Sequence, residues 1–313
     1  MNKVPLGTTG VAVSEFCLGT MHFGGKVDEP TSWALMDLYV EAGGSFLDTA
    51  NIYGRKDPES PGGGSETVIG RWLRQRGHRD TVFLASKVGF PCPGVEGGLA
   101  GRVIQSECEK SLERLGVETI DLYYAHRDDR AVPLEETLAA MDKLVRQGKV
   151  RYVGVSNCRA WRIQAARNLA AKHDYPPYCC VQQRYTYLRP GPGADFTPQV
   201  AADEDLLDFC RAEHVTLMAY TPLLKGAYTQ SHKALPSHYV WADSTVRLAA
   251  LRALAQEKGI TPNQLVLAWI RRTPAVTVPV FSVSGEEQLR ENLGALEVHL
   301  SDDELKRLDP ACP

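Results

Sequence analysis

The sequence predicts a (β/α)₈ TIM barrel, the α/β fold in which eight parallel strands close into a cylinder surrounded by helices. Short apolar segments alternate with longer amphipathic ones, this alternation repeats eight times, and 313 residues suit such a barrel with modest loop insertions. An open, doubly wound parallel sheet is the structural alternative. No Gly-x-Gly-x-x-Gly motif follows any apolar segment, which disfavours that alternative.

We expect a single domain over residues 1–313, because the sequence contains no linker and no change of composition. Residues 1–13 precede the first repeat and contain the turn sequence Gly7-Thr8-Thr9-Gly10. This segment is interpreted as a β-hairpin that caps the bottom of the barrel.

The predicted strands are short and apolar on both sides, as is typical of parallel strands buried on both faces. They span residues 16–19, 45–48, 82–87, 120–126, 150–156, 180–184, 215–220 and 276–280.

Helical periodicity appears between these strands, and the clearest helices span residues 66–75, 99–115, 134–147, 203–213 and 286–296. Ser65 is the predicted N-cap of the first of them, and Gly77, Gly116 and Gly148 are the predicted stops of the first three. Pro133 precedes the third helix, which gives the proline start and glycine stop common in helices.

Composition narrows the function classes. Lys and Arg total 35 against 38 Asp and Glu, a net charge of −3, so the chain lacks the positive field of a nucleic-acid-binding protein. The longest apolar runs are far shorter than the ~20 residues of a membrane helix, and the first residues do not resemble a signal peptide. We therefore expect a cytoplasmic protein whose eight scattered cysteines are reduced.

Three long loops, residues 52–64, 186–198 and 229–244, each follow a predicted strand. In a barrel they lie at the carboxyl ends of the strands, on the face where active sites are built.

Four polar residues stand at or just beyond the strand ends: Asp48, Tyr53, Lys87 and His126. Each alone is ordinarily a solvated or capping residue, but closure of the barrel brings all four to one mouth. A neighbouring ammonium favours the phenolate, so Lys87 is expected to lower the pKa of Tyr53, while Asp48 keeps Lys87 charged. With His126 holding a carbonyl oxygen, the set suits carbonyl reduction, in which oxygen receives a proton as carbon receives a hydride.

No side chain carries a hydride, so this chemistry needs a cofactor. Asn157 and Gln182 offer amide donors and acceptors for a nicotinamide carboxamide, and Tyr220 offers a flat face for its ring. Ordinary packing at strand ends is the alternative interpretation of Gln182 and Tyr220.

Over nearly its whole length the sequence resembles the aldo-keto reductase superfamily, because eight motifs occur in the order seen in that family. The first four are Gly19-Thr20-Met21-His22-Phe23-Gly24, Asp48 to Tyr53-Gly54 with Ser65-Glu66, Lys87, and Asp121-Leu122-Tyr123-Tyr124-Ala125-His126. The others are Gly154-Val155-Ser156-Asn157, Gln182-Gln183-Arg184-Tyr185, Ala219-Tyr220-Thr221-Pro222-Leu223, and Gln288 to Glu291-Asn292.

The resemblance implies a barrel enzyme that binds NADP(H), or less often NAD(H), with Tyr53 as general acid, Lys87 and Asp48 tuning it, and His126 orienting the carbonyl. It also implies the cofactor-binding residues. Gly19, Thr20 and Met21 line the nicotinamide pocket; Asp48, Ser156, Asn157, Gln182 and Tyr220 contact the nicotinamide; Thr221, Leu223, Lys225 and Gly226 approach the pyrophosphate; Ser282, Ser284, Gln288 and Asn292 hold the adenosine.

Two departures from the family pattern stand out. In this family a Lys or Arg often binds the 2′-phosphate of NADP(H), but the matching positions here are Ser282, Ser284 and Gln288. Arg290 or Arg272 is considered as the residue that binds the phosphate instead. In addition, Asp128-Asp129 replaces the usual Pro-Asp after Arg127.

The expected substrate is a small aldehyde, ketone or alcohol, with sugars and aromatic compounds equally suitable. His22, Phe23, Tyr53, Phe90, His126 and Arg127 are the predicted pocket residues. Two other function classes are weighed: an NADP(H)-binding regulatory subunit with little turnover, and a metal-dependent hydrolase, disfavoured because His126 is the only histidine at a strand end. No metal, nucleic acid or membrane is expected, and the chain is a monomer or a homo-oligomer.

Overall fold

The computed structural model describes residues 1–230 and 233–309. The strands are β1 Lys3–Pro5, β2 Ala12–Ser14, β3 Cys17–Gly19, β4 Phe46–Asp48, β5 Phe83–Val88, β6 Ile120–Ala125, β7 Val150–Ser156, β8 Cys180–Arg184, β9 Thr216–Tyr220 and β10 Thr277–Phe281. The helices are α1 Glu29–Glu41, α2 Gly64–Arg76, α3 Gly101–Leu115, α4 Leu134–Arg146, α5 Ala160–His173, α6 Glu204–Ala212, α7 Ala242–Lys258, α8 Pro262–Ile270, α9 Glu286–Gly294 and α10 Asp302–Leu308.

Strands β3 to β10 form a closed parallel barrel in which each strand pairs with its neighbours in chain order and β10 pairs with β3. Helices alternate with the strands, so the predicted (β/α)₈ barrel is confirmed. Every predicted strand lies within one or two residues of an observed one, because two-faced burial marks each strand in the sequence.

The amino-terminal hairpin is also confirmed, with β1 and β2 antiparallel. It lies against the starts of the barrel strands, since Gly7 N donates to Thr216 Oγ1 at 2.7 Å and that hydroxyl donates to Pro5 O at 2.9 Å. Leu6 and Val13, both without exposed surface, pack with apolar side chains of the barrel interior. The hairpin therefore closes the bottom of the barrel.

Side chains along each strand alternate between the interior and the surrounding helices. On β5, for example, Ala85 belongs to the interior cluster, whereas the Ser86 hydroxyl bonds Glu66 of α2. This alternation places Asp48, Lys87 and His126 on the interior side, at the carboxyl ends of β4, β5 and β6.

Helix ends follow local chemistry. Gly77 and Gly116 cap α2 and α3 in left-handed conformations with φ of 69° and 65°, as predicted. The prediction that Ser65 caps α2 is wrong: the cap is Gly63, and the Ser65 hydroxyl donates instead to Thr20 O at 2.9 Å. That bond ties the start of α2 to the loop after β3.

The connection from β9 to β10 is longer than one helix. It contains short 3₁₀ turns at Leu224–Gly226 and Ser237–Tyr239, followed by both α7 and α8. The predicted loop 229–244 accordingly ends at the start of α7, and its residues 231 and 232 lie outside the described residues. None of the helices in the described ranges is long and apolar enough to cross a membrane.

Candidate active site

The buried ion pair of Lys87 and Asp48 lies at the centre of the barrel mouth. The Lys87 ammonium donates to Asp48 Oδ1 and, at 2.7 Å, to Thr49 O, and neither residue has more than 2% of its surface exposed. The other Asp48 oxygen accepts from Gln182 Nε2 at 2.8 Å. Burial is the largest single influence and lowers the pKa of Lys87, but the Asp48 carboxylate, together with Tyr53 and Cys17, raises that pKa by more, so the ammonium stays charged.

Tyr53 reaches the same point from the loop after β4, and two anchors hold that loop. Asn51 N donates to Lys87 O at 3.2 Å, and its side-chain amide donates to the buried carboxylate of Glu107 at 2.9 Å. Gly54 N donates to Met21 O, and Gly54 has a left-handed φ of 80°. A Cβ at Gly54 would lie 2.1 Å from Ser65 N, so only glycine fits between the loop and α2.

The Tyr53 ring lies beside both Lys87 and His126. The Lys87 nitrogen is 4.9 Å from the ring centroid, and the Tyr53 hydroxyl lies 3.5 Å from His126 Nε2. Burial raises the pKa of Tyr53, and the Lys87 charge only partly opposes it. The expectation of a lowered pKa is therefore wrong in its net direction, because desolvation of the phenolate outweighs the attraction to the ammonium.

His126 is a neutral imidazole at neutral pH. Burial, with the nearby Lys87 charge, lowers its pKa well below the usual value. Its ring packs edge-on against Phe90, with centroids 4.9 Å apart, and its Nδ1 is buried without a hydrogen-bond partner among the described residues.

Asp48, Tyr53, Lys87 and His126 thus come together at one mouth. The arrangement offers one hydroxyl and one neutral imidazole above a fixed ammonium–carboxylate pair, which is suited to delivering a proton to a developing oxyanion.

The amide and hydroxyl groups predicted to hold a carboxamide lie at the ends of β7, β8 and β9. Asn157 is fully engaged: its Nδ2 donates to His126 O and Ser156 Oγ, both at 3.0 Å, and its Oδ1 accepts from Val200 N and the Tyr220 hydroxyl. Among the described residues, the Gln182 side-chain oxygen accepts no hydrogen bond. Gln182 therefore keeps an acceptor for a carboxamide, whereas Asn157 ties Tyr220 to the long loop after β8.

The loop after β9 has an unusual backbone. Thr221, Leu224, Lys225 and Gly226 all have positive φ, while Leu223, also predicted here, is part-buried between them. Successive turns of this kind can direct backbone N–H groups toward a phosphate, but here the Leu224 and Gly226 N–H groups already donate within the loop, to Thr221 O and Leu223 O. The exposed Lys225 carries a positive charge at this loop.

Two further lysines border this region and were missed by the sequence analysis. The Lys233 ammonium donates to Lys225 O at 2.8 Å. Lys26, in the loop after β3, and Lys225 both lower the pKa of His22 after the larger effect of its burial, so both charges lie near His22. Only their proximity in the fold identifies them, because no motif marks either lysine.

The residues predicted for the adenosine lie beyond β10. Ser282, Ser284 and Gln288 are exposed and Asn292 is buried, with Ser284 N and Oγ both bonded to Gln288 Oε1. Of the substitutes considered for a 2′-phosphate, Arg290 pairs with Glu286 at 3.5 Å. Arg272 follows the end of α8 and pairs with Asp302 at 3.2 Å. Its neighbour Arg271 pairs with Glu15 beside the hairpin, which places Arg272 at the far end of the barrel.

Other predicted residues divide between the mouth and the core. Met21 is 51% exposed and His22 is half-buried, whereas Thr20 and Phe23 have no exposed surface. The Thr20 hydroxyl bonds Asp48 O and Ser65, and Phe23 packs in the core between strands and helices.

Gly19 lies against the end of β10, and Arg127 lies over Phe90, with its guanidinium carbon 5.8 Å from the ring centroid. A Cβ at Gly19 would be 3.0 Å from Ser282 Oγ, so this glycine lets β3 and β10 approach.

A buried ionic network supports the site from behind and was not predicted. Glu66 of α2 accepts from Ser86 Oγ at 2.5 Å and from Arg114 Nε at 2.7 Å, and Glu107 of α3 pairs with Lys110. In the described part of the chain no group of three or more His, Cys, Asp or Glu side chains is placed to hold a metal ion.

Comparisons with known proteins show which family the chain belongs to. The model of the "Aldo/keto reductase family" matches residues 15–312. The chain is 33% identical to "Uncharacterized oxidoreductase YrpG" of Bacillus subtilis, over 100% of this chain and 96% of that protein. It is 31% identical to "Norsolorinic acid reductase stcV" of Emericella nidulans, over 97% of this chain and 79% of that protein.

A further relative is "Aldo-keto reductase yakc [NADP(+)]" of Schizosaccharomyces pombe, 30% identical over 96% of this chain and 88% of that protein. The family match covers nearly the whole barrel, and the chain therefore belongs to the aldo/keto reductase family of oxidoreductases.

Proposed function

We propose that this protein reduces an aldehyde or ketone to the alcohol with a nicotinamide cofactor. One carbonyl compound, one reduced cofactor and one proton give one alcohol and one oxidised cofactor. The observation that carries the proposal is the contact of Tyr53, Lys87 and His126 at the mouth, above the buried pair with Asp48.

Tyr53 is the proton donor in this proposal. Its raised pKa keeps the hydroxyl protonated at neutral pH, so the acid is loaded before the substrate arrives. When the proton leaves, the phenolate forms 4.9 Å (ring centroid to nitrogen) from the Lys87 ammonium, which stabilises the new negative charge. Lys87 can do this only while charged, and Asp48 keeps it so.

His126 orients the carbonyl oxygen. Its Nδ1 is buried without a partner, so we assign the neutral tautomer with hydrogen on Nε2, the atom next to the Tyr53 hydroxyl. Two donors, the phenol and this imidazole N–H, then converge on one oxygen.

The residues at the mouth fit a nicotinamide dinucleotide in their donor chemistry. Gln182 would accept from the carboxamide with its side-chain oxygen, next to Ser156, whose hydroxyl donates to Gln182 O. Tyr220 would lie against the ring, and the left-handed loop with Lys225 would meet the pyrophosphate. When bound, the cofactor supplies the hydride that the carbonyl carbon receives.

We propose NADP(H) as the preferred cofactor. The printed name of the Schizosaccharomyces pombe relative carries NADP(+). In addition, Ser284 borders a cavity of about 760 Å³ that is also lined by Lys26 and Lys56, whereas Arg71 in the same lining pairs with Glu29 at 2.7 Å. These positive charges favour an extra phosphate near the adenosine end, in place of the missing Lys or Arg at residues 282, 284 and 288.

A panel of aliphatic, sugar and aromatic aldehydes, assayed with NADPH and NADH in parallel, tests the proposal. We expect turnover of at least one carbonyl class and a lower KM for NADPH. Tight cofactor binding with no turnover of any carbonyl would instead indicate a regulatory subunit. Activity lost on addition of a chelator would contradict the cofactor-only mechanism.

A further inference from the structure

A large groove lies beside the active site, outside the ring of strands. It has a volume of about 960 Å³ and runs beneath the long loop after β8, from the loops that follow β6 and β7 at the mouth toward the end of α8 at the opposite end of the barrel. Its lining contains seven arginines and five acidic residues, which are Asp128, Asp195, Asp203, Glu204 and Asp309. We call it the arginine groove and define it by Arg127, Arg159, Arg184, Tyr185 and Trp269.

Other arginines of the groove have carboxylate partners. Arg130 pairs with Asp128, Arg189 with Asp309 at 3.1 Å, and Arg272 with Asp302. Their charges are therefore largely neutralised by this chain.

Arg127, Arg159 and Arg184 differ from them. Within the described ranges, neither Arg159 nor Arg184 has a carboxylate within 4.0 Å, and Arg127 reaches only Asp129, at 4.0 Å. That Asp129 carboxylate already accepts from two backbone N–H groups, those of Leu99 and Ala131. Three guanidinium charges consequently face the groove without a carboxylate in close contact.

Arg184 is held in place before any ligand binds. Its guanidinium lies over the rings of Phe196 and Tyr220, 5.0 and 5.6 Å from their centroids, and donates to Gln199 Oε1. The Nε atoms of Arg184 and Arg127 are both buried without an acceptor among the described residues. A buried N–H without an acceptor is unfavourable, and an anion in the groove would supply an acceptor.

The groove adjoins the catalytic histidine. Arg127 is the next residue after His126 and lies over Phe90, whose ring contacts the His126 ring. Asn157 lines the groove and also donates to His126 O at 3.0 Å. Arg127 and Asn157 therefore connect the lining of the groove to the His126 site.

We propose that the arginine groove binds a carboxylate carried by the carbonyl substrate, which makes the preferred substrate an anionic, aromatic aldehyde or ketone. This inference rests on the proposed function. The rings of Tyr185 and Trp269, stacked with centroids 5.8 Å apart, give the groove an aromatic wall for the body of such a molecule.

Matched substrates test the charge directly. We compare 4-formylbenzoate with its methyl ester, and the longer 4′-formylbiphenyl-4-carboxylate with its methyl ester, by kcat/KM. The carboxylates are expected to exceed their esters about tenfold or more, the usual effect of one charged hydrogen bond. Equal values for both pairs would overturn the proposal, although reduction itself would still be established.

Substitutions in the groove test which residues produce the preference for the carboxylate over the ester. Arg184→Gln and Arg127→Gln should each lower the carboxylate-to-ester ratio about tenfold, mainly through KM. Arg184→Lys should restore part of the ratio by returning the charge. Arg211→Gln is the matched control, because Arg211 is an exposed arginine of α6 paired with Asp208 outside the groove, and its ratio should equal that of the unaltered protein.

Binding without turnover separates this inference from the proposed function. Calorimetry with 4′-methylbiphenyl-4-carboxylate, which has no reducible carbonyl, should show binding that Arg184→Gln weakens and Arg211→Gln does not. If this binding is observed but no carbonyl is reduced, the proposed function fails and the anion site remains. If carbonyls are reduced but Arg184→Gln changes neither binding nor the ratio, the anion site fails and the function remains.

Discussion

Replacement of Lys87 by Met should cost both stability and activity, because it removes one partner of a buried ion pair. Asp48 would keep a carboxylate with only 2% of its surface exposed and Gln182 as its one remaining side-chain donor. Loss of one partner of such a pair costs about 3–5 kcal/mol. Unfolding entropy is about 2.1 cal/mol/K per residue, so for a 313-residue chain each kcal/mol shifts the Tm by about 1.5 °C.

We therefore expect Lys87→Met to lower the Tm by about 5–8 °C, measured by circular dichroism on heating. Turnover should be lost, because no ammonium remains to stabilise the Tyr53 phenolate. The paired variant Asp48→Asn with Lys87→Met has no uncompensated charge and should regain most of the Tm but none of the turnover. A single variant as stable as the unaltered protein, or a double variant less stable than the single one, would refute the reasoning.

Three further predictions concern the mouth of the barrel. Tyr53→Phe should lower kcat for carbonyl reduction about 10²–10⁴-fold while cofactor affinity by fluorescence titration stays nearly unchanged, and comparable turnover would place the proton donor elsewhere. The folded protein holds His126 neutral, whereas the unfolded chain protonates it below about pH 6.5. As the pH is lowered below that value, the free energy of unfolding should decrease by about 1.4 kcal/mol per pH unit. His126→Gln should remove that share of the slope in urea titrations between pH 7 and 5, and an unchanged slope would contradict the assignment. Lys26→Gln should weaken NADPH binding about two- to fivefold at low salt and less at high salt, and a salt-independent effect would exclude a charge contact with the cofactor.

The barrel could be predicted from the sequence because each strand is a local pattern. A parallel strand buried on both faces is a short apolar run, and the last polar residue of such a run lies at the mouth whatever its partners are. Asp48, Lys87 and His126 were found in this way, from the ends of β4, β5 and β6. Tyr53 followed from its short distance along the chain from Asp48.

Properties that depend on packing could not be predicted in the same way. The net direction of the Tyr53 pKa shift depends on how much water the fold removes, which no motif states. Serine is a common N-cap residue, but the loop after β3 lies so close that the Ser65 hydroxyl donates to Thr20 O instead. The four bonds of Asn157 and the unpaired arginines of the groove arise between segments far apart in the chain.

The closed lower end of the barrel determines how molecules reach Tyr53. Because Leu6 and Val13 fill that end together with interior side chains, the described residues leave no passage through the cylinder from below. Molecules that reach the Lys87 ammonium therefore enter and leave between the loops at the carboxyl ends of the barrel strands. In the proposed reaction, the alcohol therefore leaves by the route through which the next carbonyl compound enters, so one step precedes the other.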